Sequence, residues 1–143
     1  VRSSDFEIKK DANPFTEEQL HQIELGEQAG IDTSMYTLTY CKQGLLFSIY
    51  DHKQMEQIRL GQEQDLPVSV YAQVYVTTNG HVFPVFNALE MEQIRLGMLS
   101  GINYRSYCQI RIDEEGEVVP LYDWKTMKER REFLEQRKQL GNL

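Results

Sequence analysis

With 143 residues, 41% of them hydrophobic, the chain is the size of one domain and can bury roughly two thirds of the surface its unfolded form exposes. A net charge of −7 repels phosphate backbones and argues against general nucleic-acid binding. No stretch approaches the roughly 20 apolar residues of a membrane helix and no charged-then-apolar leader is present, so a cytoplasmic protein without membrane contact is expected.

Residues 1–14 hold one short alternating piece, Phe6-Glu7-Ile8, readable as an edge strand, followed by the Asn13-Pro14 turn signal. Thr16 is a good N-cap, and Gln19 three residues on completes the side chains of a capping box. Phe15, just before the cap, is placed to close on Leu20 as a hydrophobic staple. A helix is therefore predicted from about Glu17 to Ala29, stopped by Gly30, which tolerates the left-handed conformation. Met35 to Tyr50 then reads as strand, turn, strand: Tyr36–Cys41, Lys42-Gln43-Gly44, Leu45–Ile49.

The same grammar returns three times. Tyr50-Asp51 with Gln54, Phe86-Asn87 with Glu90, and Tyr122-Asp123 with Thr126 repeat the aromatic, the cap and the residue at the third helical position. Each cap stands four residues ahead of Leu20, Met55, Met91 or Met127. The heptad Met55–Gly61 recurs letter for letter as Met91–Gly97, 36 residues later, and Leu20 lies 35 residues before Met55. The copy at Met127 keeps Arg131 under Arg95 but loses the Ile and the Gly. Two further hairpins follow the second and third helices. One is Val70–Val76, a turn ending in Asn79-Gly80, and His81–Phe86; the other is Tyr107–Ile112, Asp113–Gly116 and Glu117–Tyr122. Asn-Gly is a strong hairpin signal. Pro84 and Pro120 fall at equivalent second-strand positions and cannot donate to a ladder, so one unbroken sheet through all three hairpins is not expected.

The predicted architecture is an α+β domain over residues 1–143, built of tandem helix plus β-hairpin (αββ) repeats. About three units, near 15–49, 50–85 and 86–121, are closed by a C-terminal capping helix in 122–143. Met55 and Ile58 share a helix face while Leu60 lies about 200° round from Ile58, so each helix should pack on two sides, as units of an array do. Gly26, Gly61 and Gly97 share one position late in the helix, where glycine costs up to about 1 kcal/mol relative to alanine. Close approach of neighbouring helices is the expected compensation. The last segment has Phe133 in place of that glycine and runs on to Leu140, as a capping repeat would.

The motif Met-x-x-Ile-Arg-Leu-Gly, with a Tyr ten residues after the glycine (Gly26 to Tyr36, Gly61 to Tyr71, Gly97 to Tyr107), resembles a short repeat in proteins of integrative and conjugative elements and phages of intestinal Gram-positive bacteria. Family copies read Met-x-x-Ile-Arg-x-Gly-Leu-x-x-Gly-Leu-Asp-Val-Ser-x-Tyr-Ala. Gly30-Ile31-Asp32-Thr33-Ser34-Met35-Tyr36 follows this closely, Asp65–Ala72 keeps part of it, and Gly101–Tyr107 departs further. The likeness covers about half of the chain and leaves out the hairpins. It implies a mobile-element origin and brings no biochemical activity with it.

No catalytic or metal constellation stands out. His21, His52 and His81 share no repeat position, and no phosphate loop, dinucleotide fingerprint, nucleophile elbow or metalloprotease helix is present. Asp113-Glu114-Glu115 with Glu117 is acidic but lacks the ligand spacing of a calcium loop, so a solvated turn is expected. Cys41 and Cys108 read as two reduced, buried thiols without metal or catalytic spacing. No catalytic residue, metal or cofactor is therefore expected. The remaining candidate is a polar ladder repeated along the array: Glu56, Gln57 and Arg59, then Glu92, Gln93 and Arg95, expected on the surface as partner-binding residues. The competing explanation for part of it is local support, Arg59 pairing with Glu63 one turn on. Tyr40, Tyr75 and Tyr104 are candidate contact aromatics.

The sequence thus favours a non-enzymatic interaction module acting on an unidentified protein partner. An acidic decoy of a host nucleic-acid-binding protein and an enzyme with a site assembled from scattered residues are the alternatives. Charge is also uneven: Glu17, Glu18, Glu24 and Glu27 crowd the first helix, whereas residues from Asp123 onward carry six basic groups against four acidic ones. That asymmetry allows head-to-tail self-association.

Overall fold

Four caps open four helices. In the computed structural model, which describes residues 13–141 and so leaves the Phe6–Ile8 strand outside the described residues, α1 spans Glu17–Gln28, α2 His52–Glu63, α3 Ala88–Leu99 and α4 Trp124–Gln139. The side chains of Thr16, Asp51, Asn87 and Asp123 accept from the N–H three residues on at 3.1, 2.7, 2.8 and 2.8 Å. Gln19, Gln54 and Glu90 accept in return from the cap's own N–H at 2.7, 2.8 and 2.8 Å, which closes three capping boxes. α4, with Thr126 at that position, keeps only the forward bond.

The first three helices also end alike. Gly30 and Gly101 take left-handed φ of 73° and 76°, and at the equivalent place in the second unit Asp65 does so at 58°. The N–H of the next residue, Ile31, Leu66 or Ile102, then donates back to the carbonyl of Gly26, Gly61 or Gly97 at 3.1, 2.8 and 3.1 Å. This is the Schellman closure with an apolar residue just beyond it. A 3₁₀ turn follows in each unit, Thr33–Met35, Val68–Val70 and Tyr104–Ser106.

Those turns correct the strand starts expected at Tyr36, Val70 and Tyr107. The strands begin three to four residues later: β1 Thr39–Lys42 pairs with β2 Leu45–Ser48, β3 Val74–Val76 with β4 Val82–Pro84, and β5 Ile110–Ile112 with β6 Val118–Pro120. The reason lies in the tyrosines, which must fold back over their own helix before the chain can extend. The three hairpins are separate two-stranded antiparallel sheets, and Pro84 and Pro120 sit opposite Val74 and Ile110 at strand ends, where a missing N–H is tolerated.

Gly26, Gly61 and Gly97 do not serve helix–helix approach as expected. A Cβ at each would fall inside the van der Waals envelope of a hydroxyl, that of Tyr36, Tyr71 or Tyr107 in the same unit. Tyr36 donates to the carbonyl of Gln22 at 2.9 Å, Tyr71 to that of Gln57 at 2.6 Å and Tyr107 to that of Gln93 at 3.2 Å. Each carbonyl is the one four residues before the glycine, already engaged in the helix. The hydroxyl thus takes its free lone pair, and only a residue without a side chain leaves room for the ring. Burial pushes the Tyr36 hydroxyl up to about 12 and raises those of Tyr71 and Tyr107 as well.

The core runs the length of the array at repeat positions: Tyr36, Tyr71 and Tyr107; Met55, Met91 and Met127; Ile58 and Ile94; Tyr50 and Phe86. Each helix packs on the next, α1 on α2, α2 on α3 and α3 on α4. Leu20 marks the edge of that core. It occupies the position of Met55 and Met91 yet is 41% exposed where they are 0%, because no helix among the described residues precedes α1.

Candidate interaction surface

The polar ladder expected on the surface lies inside the molecule. Gln57, Arg59, Gln93 and Arg95 are buried and Glu56 and Glu92 half-buried, which corrects the expectation of an exposed row. Each arginine reaches back one helix. Arg59 Nε donates to Gln22 Oε1 at 2.9 Å, Arg95 Nε to Gln57 Oε1 at 2.8 Å and Arg131 Nε to Gln93 Oε1 at 3.1 Å. The second guanidinium nitrogen is held locally. Arg59 pairs with Glu63 at 2.6 Å, as the helical spacing suggests, and Arg131 donates to Glu135 at 2.8 Å. Arg95, which has Leu99 one turn on, takes the Gln64 amide oxygen at 3.2 Å and has no carboxylate partner among the described residues.

The rung is therefore a structural clasp between successive units. Gln22 is the member that the expected ladder left out, and Gln57 and Gln93 belong to it as acceptors for the following helix rather than as surface groups. Their recurrence two residues ahead of the residue at positions 24, 59 and 95 was visible, but which helix face they occupy was not. Burying three guanidinium groups is tolerable because Nε and a second nitrogen of each are met, and among the described residues Gln62 Oε1 is the one buried side-chain polar atom without a partner.

What the array does present is apolar hairpin. Val76 is 67% exposed and Ile112, at the equivalent place in the next hairpin, 71%; Val74 and Ile110, two residues back on the same face, are exposed as well. Cross-strand partners extend the two faces with Val82 and Pro84 in one hairpin and Val118 and Pro120 in the other. Leu45, Phe47 and Phe83 add further exposed apolar surface. Tyr40 and Tyr75 are half-buried props, Tyr40 stacked on Phe47 and Tyr75 tilted against Phe83 at 5.2 and 5.9 Å between ring centroids, and Tyr104 carries the Arg105 guanidinium 5.0 Å from its ring.

Contacts step from hairpin to hairpin. The Tyr40 hydroxyl lies 3.4 Å from His81 Nδ1, Lys42 Nζ donates to the Asn79 carbonyl, and His81 stacks on Phe83. A cleft of about 290 Å³ separates Tyr75, His81 and Phe83 from the turn at Glu115–Glu117. Burial, then the Glu117 and Asp113 carboxylates, raise the Tyr75 hydroxyl above its usual range.

The carboxylates of Asp113, Glu115 and Glu117 lie within 4.8 Å of one another. Asp113 Oδ1 accepts from the Glu115 and Glu117 N–H groups at 2.9 Å each, so this carboxylate organises its own turn. His21 is exposed on α1 and His52 opens α2. Both cysteines are free, and the expectation of two buried thiols holds for neither in full: Cys41 is exposed on β1, and Cys108 is half-buried with its thiol pushed up to about 11 by burial. No helix of the described residues is long and apolar enough to cross a membrane. In comparisons with protein-family models, curated proteins and solved structures, nothing matches this chain.

Proposed function

We infer that the protein is a non-enzymatic binding module that grips a protein partner with the apolar faces of its second and third hairpins. The observation that carries this reading is the exposure of Val76 and Ile112 at equivalent positions of two successive hairpins, flanked by Val74 and Ile110. Large apolar side chains repeated at one unit spacing are the surface an array offers a partner. The clasps between helices supply a rigid base, which lowers the entropy lost on docking.

Burying each of the two tips in a partner contributes about 1.5 to 3 kcal/mol, so V76K/I112K should weaken capture about a hundredfold or more. Lysine is tolerated on edge strands, which keeps the fold intact. The test is a pull-down with the wild type and the double variant as paired baits, each with its thermal midpoint measured. Partners held by the wild type and lost with the variant support the site; the same partners on both baits, or none on either, overturn it. A mobile-element origin rests on the sequence resemblance alone, and conjugation or phage genes beside this one would support it, whereas a housekeeping operon would count against it.

A further inference from the structure

Each interior step of the array obeys one rule: a glutamine on one helix accepts from an arginine on the following helix. The first and last helices of the described residues depart from it. On α4 the residue 36 positions after Gln93 is Glu129, exposed, and no helix among the described residues follows to supply an arginine. Glu129 borders an open depression of about 560 Å³ together with Glu132, Phe133, Gln136 and Gln139. A carboxylate there is a stronger acceptor for a guanidinium than the amide it replaces. Phe133, 55% exposed at the position of Gly97, sets an apolar side chain beside it.

On α1 the residue 35 positions before Arg59 is Glu24, also exposed, its carboxylate accepting, among the described residues, from Gln28 of the same helix at 3.2 Å. A second copy of this chain docked head to tail would set Glu24 against Glu129. Two carboxylates in one rung oppose that assembly, and a mismatch built in at both ends is how a heterologous, non-closing contact is kept from growing into a fibre.

We propose that the outer face of α4, centred on Glu129 and Phe133, docks an arginine-bearing helix of another polypeptide as a further rung of the ladder, and that Glu24 keeps copies of this chain off it. The site is separate from the hairpin faces and stands or falls independently of them.

The chain itself supplies the probe. E24R/E129A has an arginine where an incoming helix needs one and no acceptor of its own, and both substitutions are at exposed helix positions. Mixed with wild type in sedimentation experiments, it should give a 1:1 dimer, while each protein alone stays monomeric. E24R by itself should form longer, concentration-dependent oligomers. Replacing the wild type in the mixture by E129A should lower the association constant about a hundredfold, whereas E129Q, which restores the interior acceptor, should keep it within about tenfold. A mixture that stays monomeric at about 1 mM, or a dimer indifferent to E129A, overturns the docking face. Wild type that self-associates without the probe overturns the role of Glu24.

Discussion

Gln57 holds two neighbours at once: its backbone carbonyl accepts from Tyr71 of its own unit and its side chain from Arg95 of the next. Gln22 and Gln93 do the same. Propensity and packing conflict at the glycine that makes room for the tyrosine. Gly61→Ala should gain up to about 1 kcal/mol in a solvated helix; here the Tyr71 hydroxyl must move, and a net loss of about 1 to 3 kcal/mol is expected from urea unfolding. Pairing it with Tyr71→Phe should recover part of that loss, because the clashing atom goes. Glu90 makes a second case. Gln19 and Gln54, its counterparts, donate to the carbonyls of Tyr50 and Phe86 at 2.7 and 2.8 Å, which an ionised glutamate cannot do. Burial, and then the Asp123 charge, raise the Glu90 carboxyl above its usual value, against a lowering contribution from the Asn87 backbone. The fold favours the protonated form. Its contribution is fully present below the ordinary carboxylate value and is lost as pH rises through the raised one. Glu90→Gln should therefore stabilise the protein at about pH 7 and make little difference below about pH 4, as denaturation midpoints at the two pH values would check.

A helix of this chain is defined at its ends by short-range bonds and along its length by a long-range one. The four caps and the closure at Gly30 were legible in the sequence because their partners lie three to five residues apart, and residues such as Asp51, Gln54 and Gly30 have few other local uses, whereas the closures at Asp65 and Gly101 were not read. The clasp was legible only as a recurrence. Its arginine fixes where each helix sits on the one before, which is the best-attested role of a buried polar contact. Arg95 is the least satisfied of the three, since Glu63 and Glu135 support Arg59 and Arg131 where it has Leu99. Leu99 is 47% exposed, so Leu99→Glu gives up little burial. It should raise stability by about 0.5 kcal/mol in dilute buffer, with the gain fading as salt is added. Unchanged stability in low salt would mean that Gln57 and Gln64 already meet the guanidinium in full.

At the scale of the molecule, helices and hairpins share one direction of travel, and stability should follow it. Residues of α2 and α3 are clasped on both sides, whereas α1 leaves Leu20 open and α4 leaves Phe133 open. In a quasi-one-dimensional array opening starts at the ends. Hydrogen exchange should accordingly find the interior amides of α2 and α3 slowest, with α1 and α4 exchanging earlier; uniform protection across all four helices would instead indicate a single cooperative core. The same uncovered ends make the protein's charge pattern meaningful. The acidic first helix and basic final segment suggest head-to-tail attraction when charges are only counted, but Glu24 and Glu129 occupy the ladder positions themselves, and the counts do not register that.

By itself the sequence determined the number of units, where each helix starts, where the first one stops, and the order of helix and hairpin, because those features rest on bonds between residues close in the chain. Only the tertiary structure decided that Gln57, Arg59, Gln93 and Arg95 face inward and that the hairpins carry the open apolar surface. A helix buried on two sides has no single polar face for periodicity to reveal. The partner that draws each arginine inside lies 37 or 38 residues away, on a neighbour whose position is fixed only when the units stack.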